Sequence, residues 1–432
     1  MTTTPWEQFQ YGPWDAEAVV PQLPPDEETR VKRDLPRTLL PVPGEGVFQH
    51  PVYDPAANHH ALGMRLSEPE FTDPATGGTW YAARRRALGL TLAAVAGSPW
   101  AEHLVLRGSV LLKAWFGDAA REPGDLDFVV VPDTWQLGDA RTDTMLEEIA
   151  RAAEERSRET GSPVRIDATG AVSDEIWTYD RVPGRRLVLP WTAVADGVPS
   201  GTVQLDFVFN ETLPAPPVRT EVLPGVPMPA ASPELSLVWK LLWLVTDMHP
   251  EAKDLYDAVL LAEHVRVPYP LLERVLAEAD EPASLSYILY HATEADWDEF
   301  AKDHAALAED GEGWLTRLIV ALAPGFHPEE DGTYAQLAAA FEYTTGLLRG
   351  EREAGGMAAV EEWLAARALH CIEALVAVRE LLGSEEHTLE EAAEVLASFR
   401  ETRHDGPRHP YRNGWRGDAF RTAARLRAAC GA

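Results

Sequence analysis

The stretch Leu104–Pro132, LVLRGSVLLKAWFGDAAREPGDLDFVVVP, decides how this chain is read. Gly108 and Ser109 interrupt an apolar run, and sixteen residues after Ser109 two carboxylates, Asp125 and Asp127, stand just before Phe128-Val129-Val130-Val131. The pattern predicts a short strand, a tight turn, a helix, a loop and a second, buried strand. Residues two apart on a strand share a face, so Asp125 and Asp127 are expected side by side, about 7 Å apart. Two ionised carboxylates so placed repel one another. A hard divalent cation such as Mg²⁺ turns that arrangement into a favourable one, because it takes one or two carboxylates and completes its octahedron with water and phosphate oxygens. Taken singly, an Asp-x-Asp is more often a solvated strand end and a Gly-Ser an ordinary turn. Their order and spacing together favour a site for a nucleoside triphosphate and Mg²⁺.

Working outward, GTVQLDFVFN offers Asp206 inside an apolar, strand-like run, where a charge needs a partner or a metal. Asp206 is the preferred third carboxylate of a two-metal site, and Asp167 in VRIDATG is its competitor. The turn at Gly108 and Ser109 lets the backbone approach closely and aims N–H groups and a hydroxyl at phosphate oxygens. Lys240, in LSLVWKLLWLV, is surrounded by apolar neighbours. It forms a local salt bridge with Asp254 or Asp257, which share a helix face, or it reaches a phosphate; the sequence favours neither.

The wider chain sets bounds. It has 432 residues, 45% of them hydrophobic, enough for a sizeable core. No apolar run nears the roughly 18 residues needed to span a bilayer, and the N-terminus lacks the pattern of a secretory signal. Two cysteines, Cys371 and Cys430, exclude a disulfide framework and a Cys-rich zinc site, and Cys371 reads as core. A cytoplasmic protein without membrane attachment is expected. The net charge of −31 argues against a nucleic-acid-binding surface. One local exception is the segment Arg400 to Arg427, with eight arginines, read as a basic terminal helix packing on an acidic body.

Three regions are expected. Residues 1–74, rich in Pro, Gly and acidic residues, form an arm or strap; residues 75–225 form a mixed α/β core; residues 226–432 form a helical domain.

These motifs resemble the AbiEii/AbiGii-type nucleotidyltransferase toxin family, a branch of the polymerase-β-like nucleotidyltransferases. The resemblance covers about residues 80–265. It rests on Gly108-Ser109, Arg121 and Asp125-x-Asp127, then on Lys240 followed by KDLYDAVLL with Asp254 and Asp257. Lys253 stands where that family usually has Arg, and Pro123 where a small hydroxyl residue is common. The resemblance implies an α+β fold, a mixed nucleotidyltransferase sheet followed by a mainly helical C-terminal domain. It also implies Mg²⁺-dependent transfer of a nucleoside monophosphate from a nucleoside triphosphate to an acceptor hydroxyl. In that scheme Asp125, Asp127 and Asp206 are the metal and catalytic carboxylates. Gly108, Ser109, Arg121 and Lys240 serve the phosphates, and Asp254 and Asp257 orient Lys240. A toxin acting on tRNA with a winged-helix antitoxin partner is one implied function. A small-molecule nucleotidyltransferase of the antibiotic-modifying type and a catalytically inactive scaffold are the alternatives.

Overall fold

The computed structural model describes residues 5–9, 18–53, 64–159, 161–176, 182–367, 369–401 and 417–431. The chain divides into two compact units, Met1–Ser232 and Pro233–Ala432. The first is α+β and the second helical, the fold class expected from the sequence.

In the first unit the leader holds a short helix α1 (Glu27–Arg33) and four short strands, β1 (Val47–Phe48), β2 (Pro51–Tyr53), β3 (Met64–Leu66) and β4 (Glu70–Phe71). β1 pairs with β4 and β2 with β3. Trp6, Phe9, Val20, Leu35, Leu39 and Met64 bury one another in a small apolar cluster. The Asp26 side chain caps α1 by accepting from the Thr29 N–H at 2.9 Å.

The long helix α2 (Pro74–Ala96) starts with Asp73 as its N-cap and Pro74 in its first turn. Beyond it come β5 (Leu104–Arg107), α3 (Ser109–Phe116), β6 (Asp125–Val130), α4 (Ala140–Glu159), β7 (Val164–Ile166), β8 (Val172–Ile176), β9 (Gly184–Ala193), β10 (Gly201–Val208), β11 (Val218–Leu223) and β12 (Val226–Ala230). The sheet order is β11-β12-β5-β6-β10-β9-β7, with β8 also paired to β9. β6 and β10 run parallel, as do β5 and β12; the other pairs are antiparallel.

Alternation sorts the central strands into two faces. Leu126 and Phe128 lie opposite Leu205 and Phe207, all buried, with the Phe128 and Phe207 rings stacked at 5.4 Å. On β9 the same parity belongs to Leu187, Leu189 and Trp191, and Trp80 of α2 meets Trp191 at 5.7 Å between ring centroids. The opposite face carries Asp125, Asp127 and Asp206. A sheet with one apolar face packed on a helix and one polar face is what the sequence alternation requires.

Two features depart from the sequence reading. Val172–Ile176 and the hairpin Val218–Ala230 are strands that the sequence pattern did not reveal, because VSDEI and VRTEVL carry charges and VPMPA carries a proline. β8 and β11 are held by edge pairing, whereas β12 lies between β11 and β5 and buries Met228 and Ala230. Because β12 joins the sheet beside β5, the first unit runs to Ser232, past the boundary expected at residue 225, and it also takes in the leader.

In the second unit α5 (Pro233–Thr246) packs on α6 (Ala252–Ala262), and the helix Gly311–Phe326 packs on α6. Cys371 is fully buried at the start of the helix Cys371–Leu382, as the sequence suggests. Of the basic segment, residues 402–416 lie outside the described residues. The helix Ala419–Cys430 pairs Arg425 with Asp310 and Arg427 with Glu390. Glu373 is buried and accepts from Thr344 at 2.5 Å and Ser286 at 3.0 Å. Burial pushes its carboxyl above the ordinary range, and those two hydrogen bonds only partly oppose the shift. A carboxyl raised in the folded state gives stability that is present at low pH and lost as pH rises through its folded pKa. Glu373→Gln is therefore expected to raise the melting temperature at pH 7 and to leave it near the native value at pH 4, read by thermal denaturation at the two pH values.

Candidate active site

The register of the sheet assembles the site. Asp127 lies directly opposite Asp206 on β10, and Asp206 lies opposite Arg186 on β9. On the outer sides Arg107 lies opposite Asp127, and Asp174 opposite Arg186. A row of five charged residues thus crosses the sheet on one face, two aspartates side by side with an arginine at each flank. Asp125 joins from the next position along β6.

One carboxylate oxygen from each of Asp125, Asp127 and Asp206 lies within 4.8 Å of the others. Asp206 is nearly buried, and Asp125 and Asp127 are half-buried. A set of hard oxygen donors this close fits a divalent cation of the Mg²⁺ type with small side-chain adjustments. Asp167 is not in the cluster. It is exposed and closes a turn by accepting from the Thr169 N–H at 2.9 Å and its hydroxyl at 2.7 Å.

Asp206 has a protein partner as well. Arg186 grips it in a two-pronged pair, Nε to Oδ1 at 2.8 Å and Nη2 to Oδ2 at 2.7 Å, and the Gln204 side chain donates to Oδ2 at 3.1 Å. Burial alone disfavours the Arg186 cation, but the charges of Asp206, Asp125 and Asp127 outweigh it and raise its pKa. Oδ2 accepts twice, but Oδ1 accepts only once and keeps a second lone pair, so Asp206 can still face a cation through Oδ1, with part of its charge already offset. Arg186 was missed in the sequence. Its only signal is the doublet Arg185-Arg186 heading an apolar run, and nothing there says which arginine faces the carboxylates.

The glycine turn fits closely around Asp127. Gly108 has φ of 84°, and a Cβ there would lie 2.2 Å from Asp127 Oδ2. Ser109, the first residue of α3, is buried, and its hydroxyl has no hydrogen-bond partner within the protein. A buried hydroxyl without a partner is costly, and a phosphate oxygen at a helix N-terminus would satisfy it. Arg121 is half-buried in the loop that follows α3. Behind Asp125, Arg84 of α2 donates to the Gly124 carbonyl at 2.7 Å and pairs with Glu68 of the leader, which pins the start of β6.

In the second unit Lys240 is buried between both candidate partners, 2.6 Å from Asp254 Oδ1 and 2.9 Å from Asp257 Oδ2. The local salt bridge anticipated from the sequence is thus present, doubled, and ties α5 to α6. Lys253 instead pairs with Glu251 at 2.7 Å.

Residues 91–323, more than half of the chain, match the family described as nucleotidyl transferase AbiEii toxin, type IV toxin–antitoxin system. The chain belongs to that family. The AbiEii match contains every site residue named above except Arg84 and Glu68, and it leaves residues 1–90 and 324–432 outside. No curated protein matches the chain.

Two outcomes follow. Gly108→Ala should cost more than about 1 kcal/mol, since it combines a strained φ with a clash. Asp127→Ala in the same chain should recover part of that loss, measured by urea denaturation. Lys240→Met should cost about 3–5 kcal/mol, because it strips the Lys240 cation from two buried carboxylates; a change below about 1 kcal/mol would show the ion pair to be unimportant to the fold.

Proposed function

We propose that the protein is a Mg²⁺-dependent nucleotidyltransferase that moves a nucleoside monophosphate from a nucleoside triphosphate to an acceptor hydroxyl. We place it as the toxin of a toxin–antitoxin or phage-defence pair acting on tRNA in the cytoplasm, with a winged-helix protein as antitoxin. The observation that carries this reading is the cluster of Asp125, Asp127 and Asp206 beside the Gly108-Ser109 turn, in a chain of the AbiEii family.

Asp125 and Asp127 would hold the cation, with Asp206 as the third carboxylate. The metal supplies charge neutralisation on the phosphates and a template for in-line displacement. The chain's own groups do the rest. Ser109 Oγ and the first N–H groups of α3 receive the terminal phosphates. Gly108, lacking a Cβ, lets the turn close on Asp127. Arg121 follows on the loop, with a phosphate role carried over from the resemblance. Asp206 accepts the proton of the attacking hydroxyl, and Arg186 restrains its orientation. Lys240, oriented by Asp254 and Asp257, is carried over as the group that neutralises the leaving pyrophosphate; Lys240→Arg, which keeps the charge, should retain the fold while altering turnover.

The test is incubation with Mg²⁺, each α-³²P-labelled nucleoside triphosphate in turn, and total tRNA. Label on tRNA with the native protein is expected, falling at least a thousandfold for Asp127→Ala with an unchanged circular dichroism spectrum. Label on a small-molecule fraction alone would replace tRNA with a small acceptor. Absence of label in every fraction, with no triphosphate binding by calorimetry, would leave an inactive scaffold.

A further inference from the structure

A cavity of about 160 Å³ opens beside Asp125 on the polar face of the sheet. Its floor is Thr202 and Gln204 of β10 with Arg186 and Val188 of β9, and its roof is the leader, with Leu40 and Met64 among the residues over it. The roof is fixed to the sheet: the Thr38 N–H donates to Asp174 Oδ2 at 2.8 Å, at the end of the charged row. Arg84 and Glu68 close the side next to Gly124. The leader precedes residue 91, where the AbiEii match begins.

The position of the cavity relative to the carboxylates assigns it a role. Asp127 faces the glycine turn, where a Cβ on Gly108 would strike it. Asp125 faces the cavity. The turn and α3 lie toward β5, whereas the cavity lies over β10 and β9, on the other side of Asp125 and Asp127 in the sheet order. In-line displacement at phosphorus requires the attacking oxygen to enter opposite the leaving group. With the terminal phosphates at Ser109, the attacking hydroxyl enters from the cavity.

We propose that this leader-roofed cavity is the acceptor subsite, and that it takes one sugar-sized, hydroxyl-bearing unit of nucleoside type that is not cationic. Size and charge both bear on this. The volume is well below the roughly 300–1,000 Å³ of pockets that hold drug-sized ligands, so it admits one ring unit and excludes a duplex. Its lining holds Arg65, Arg84 and Arg186 against Glu68 and Asp125, so within a chain of net charge −31 it is not an acidic pocket. A polycationic aminoglycoside finds no complement there. Gln204, whose amide nitrogen is engaged with Asp206, offers its carbonyl oxygen, and Thr202 offers its hydroxyl; both suit sugar hydroxyls and a base edge.

The assignment of the cavity as an acceptor subsite rests on the nucleotidyl-transfer reading, but its test needs neither metal nor turnover. The full-length protein, free of metal and triphosphate, is titrated with adenosine, cytidine, guanosine and uridine, with single-stranded tetranucleotides bearing a free 3′ hydroxyl, and with an aminoglycoside, by ligand-observed NMR. Saturable binding of a nucleoside or tetranucleotide is expected. It should weaken at least tenfold in Thr202→Trp, which fills the floor, and in Leu40→Trp, which fills the roof, and stay within twofold in Ser109→Ala. Preference for the tetranucleotide would identify a chain end as the source, and equal binding a free nucleoside. Two variants on opposite walls keep the test alive if one fails to fold. Binding unaffected by either Trp, binding lost equally in Ser109→Ala, preference for the aminoglycoside, or no saturable binding at millimolar concentration would each overturn the assignment. A protein that binds nucleosides as expected but transfers no label would instead refute the proposed activity.

Discussion

Three carboxylates on one face of one sheet are the constraint around which the first unit is arranged. Asp127 and Asp206 are direct neighbours across parallel strands, and Asp125 stands one pleat away. Like charges at that spacing destabilise the sheet unless they are compensated. One compensation is Arg186, pairing with Asp206 at two points. On the other flank, where Arg107 lies opposite Asp127, the chain also makes room: Gly108 brings its backbone against Asp127 where any side chain would collide. The beginning of β6 is held by Arg84 through the Gly124 carbonyl. Each of these features is costly or purposeless on an ordinary strand, and the proposed site for a cation and phosphates accounts for each.

The same face explains the placement of the leader. A sheet can leave one side to solvent, yet here Thr38 docks on Asp174 and Leu39 and Met64 bury themselves in a small cluster of the leader's own. The result is a polar floor beneath a partly apolar roof, next to the carboxylates. The leader thereby lines the cavity beside Asp125, although it shares none of the family match.

The second unit shows the same economy with charge. Lys240 sits in an apolar helix because two aspartates, one helical turn apart on the next helix, receive it. The spacing of Asp254 and Asp257 made that pairing legible in the sequence. What the sequence could not separate was an ion pair from a phosphate ligand, since both need a lysine among apolar neighbours.

The elements around the aspartates were legible for a plain reason: strand, turn, helix and strand each write their own periodicity, and Asp-x-Asp before a valine run fixes which face carries the carboxylates. Asp206 was legible because a lone charge in an apolar strand must be answered by something. The charged edge strands β8 and β11 were not, because edge pairing relies on backbone hydrogen bonds and leaves little pattern in side chains, and the inner strand β12 was masked by its prolines. Arg186, Gln204 and the leader's contacts were hidden for a related reason. Local sequence determined the elements, their faces and the family motifs. Only the tertiary structure decided that β10 lies beside β6, that Arg186 answers Asp206, and that the leader roofs Asp125, because strand order and register are set by packing between residues far apart in the chain, which local sequence does not encode.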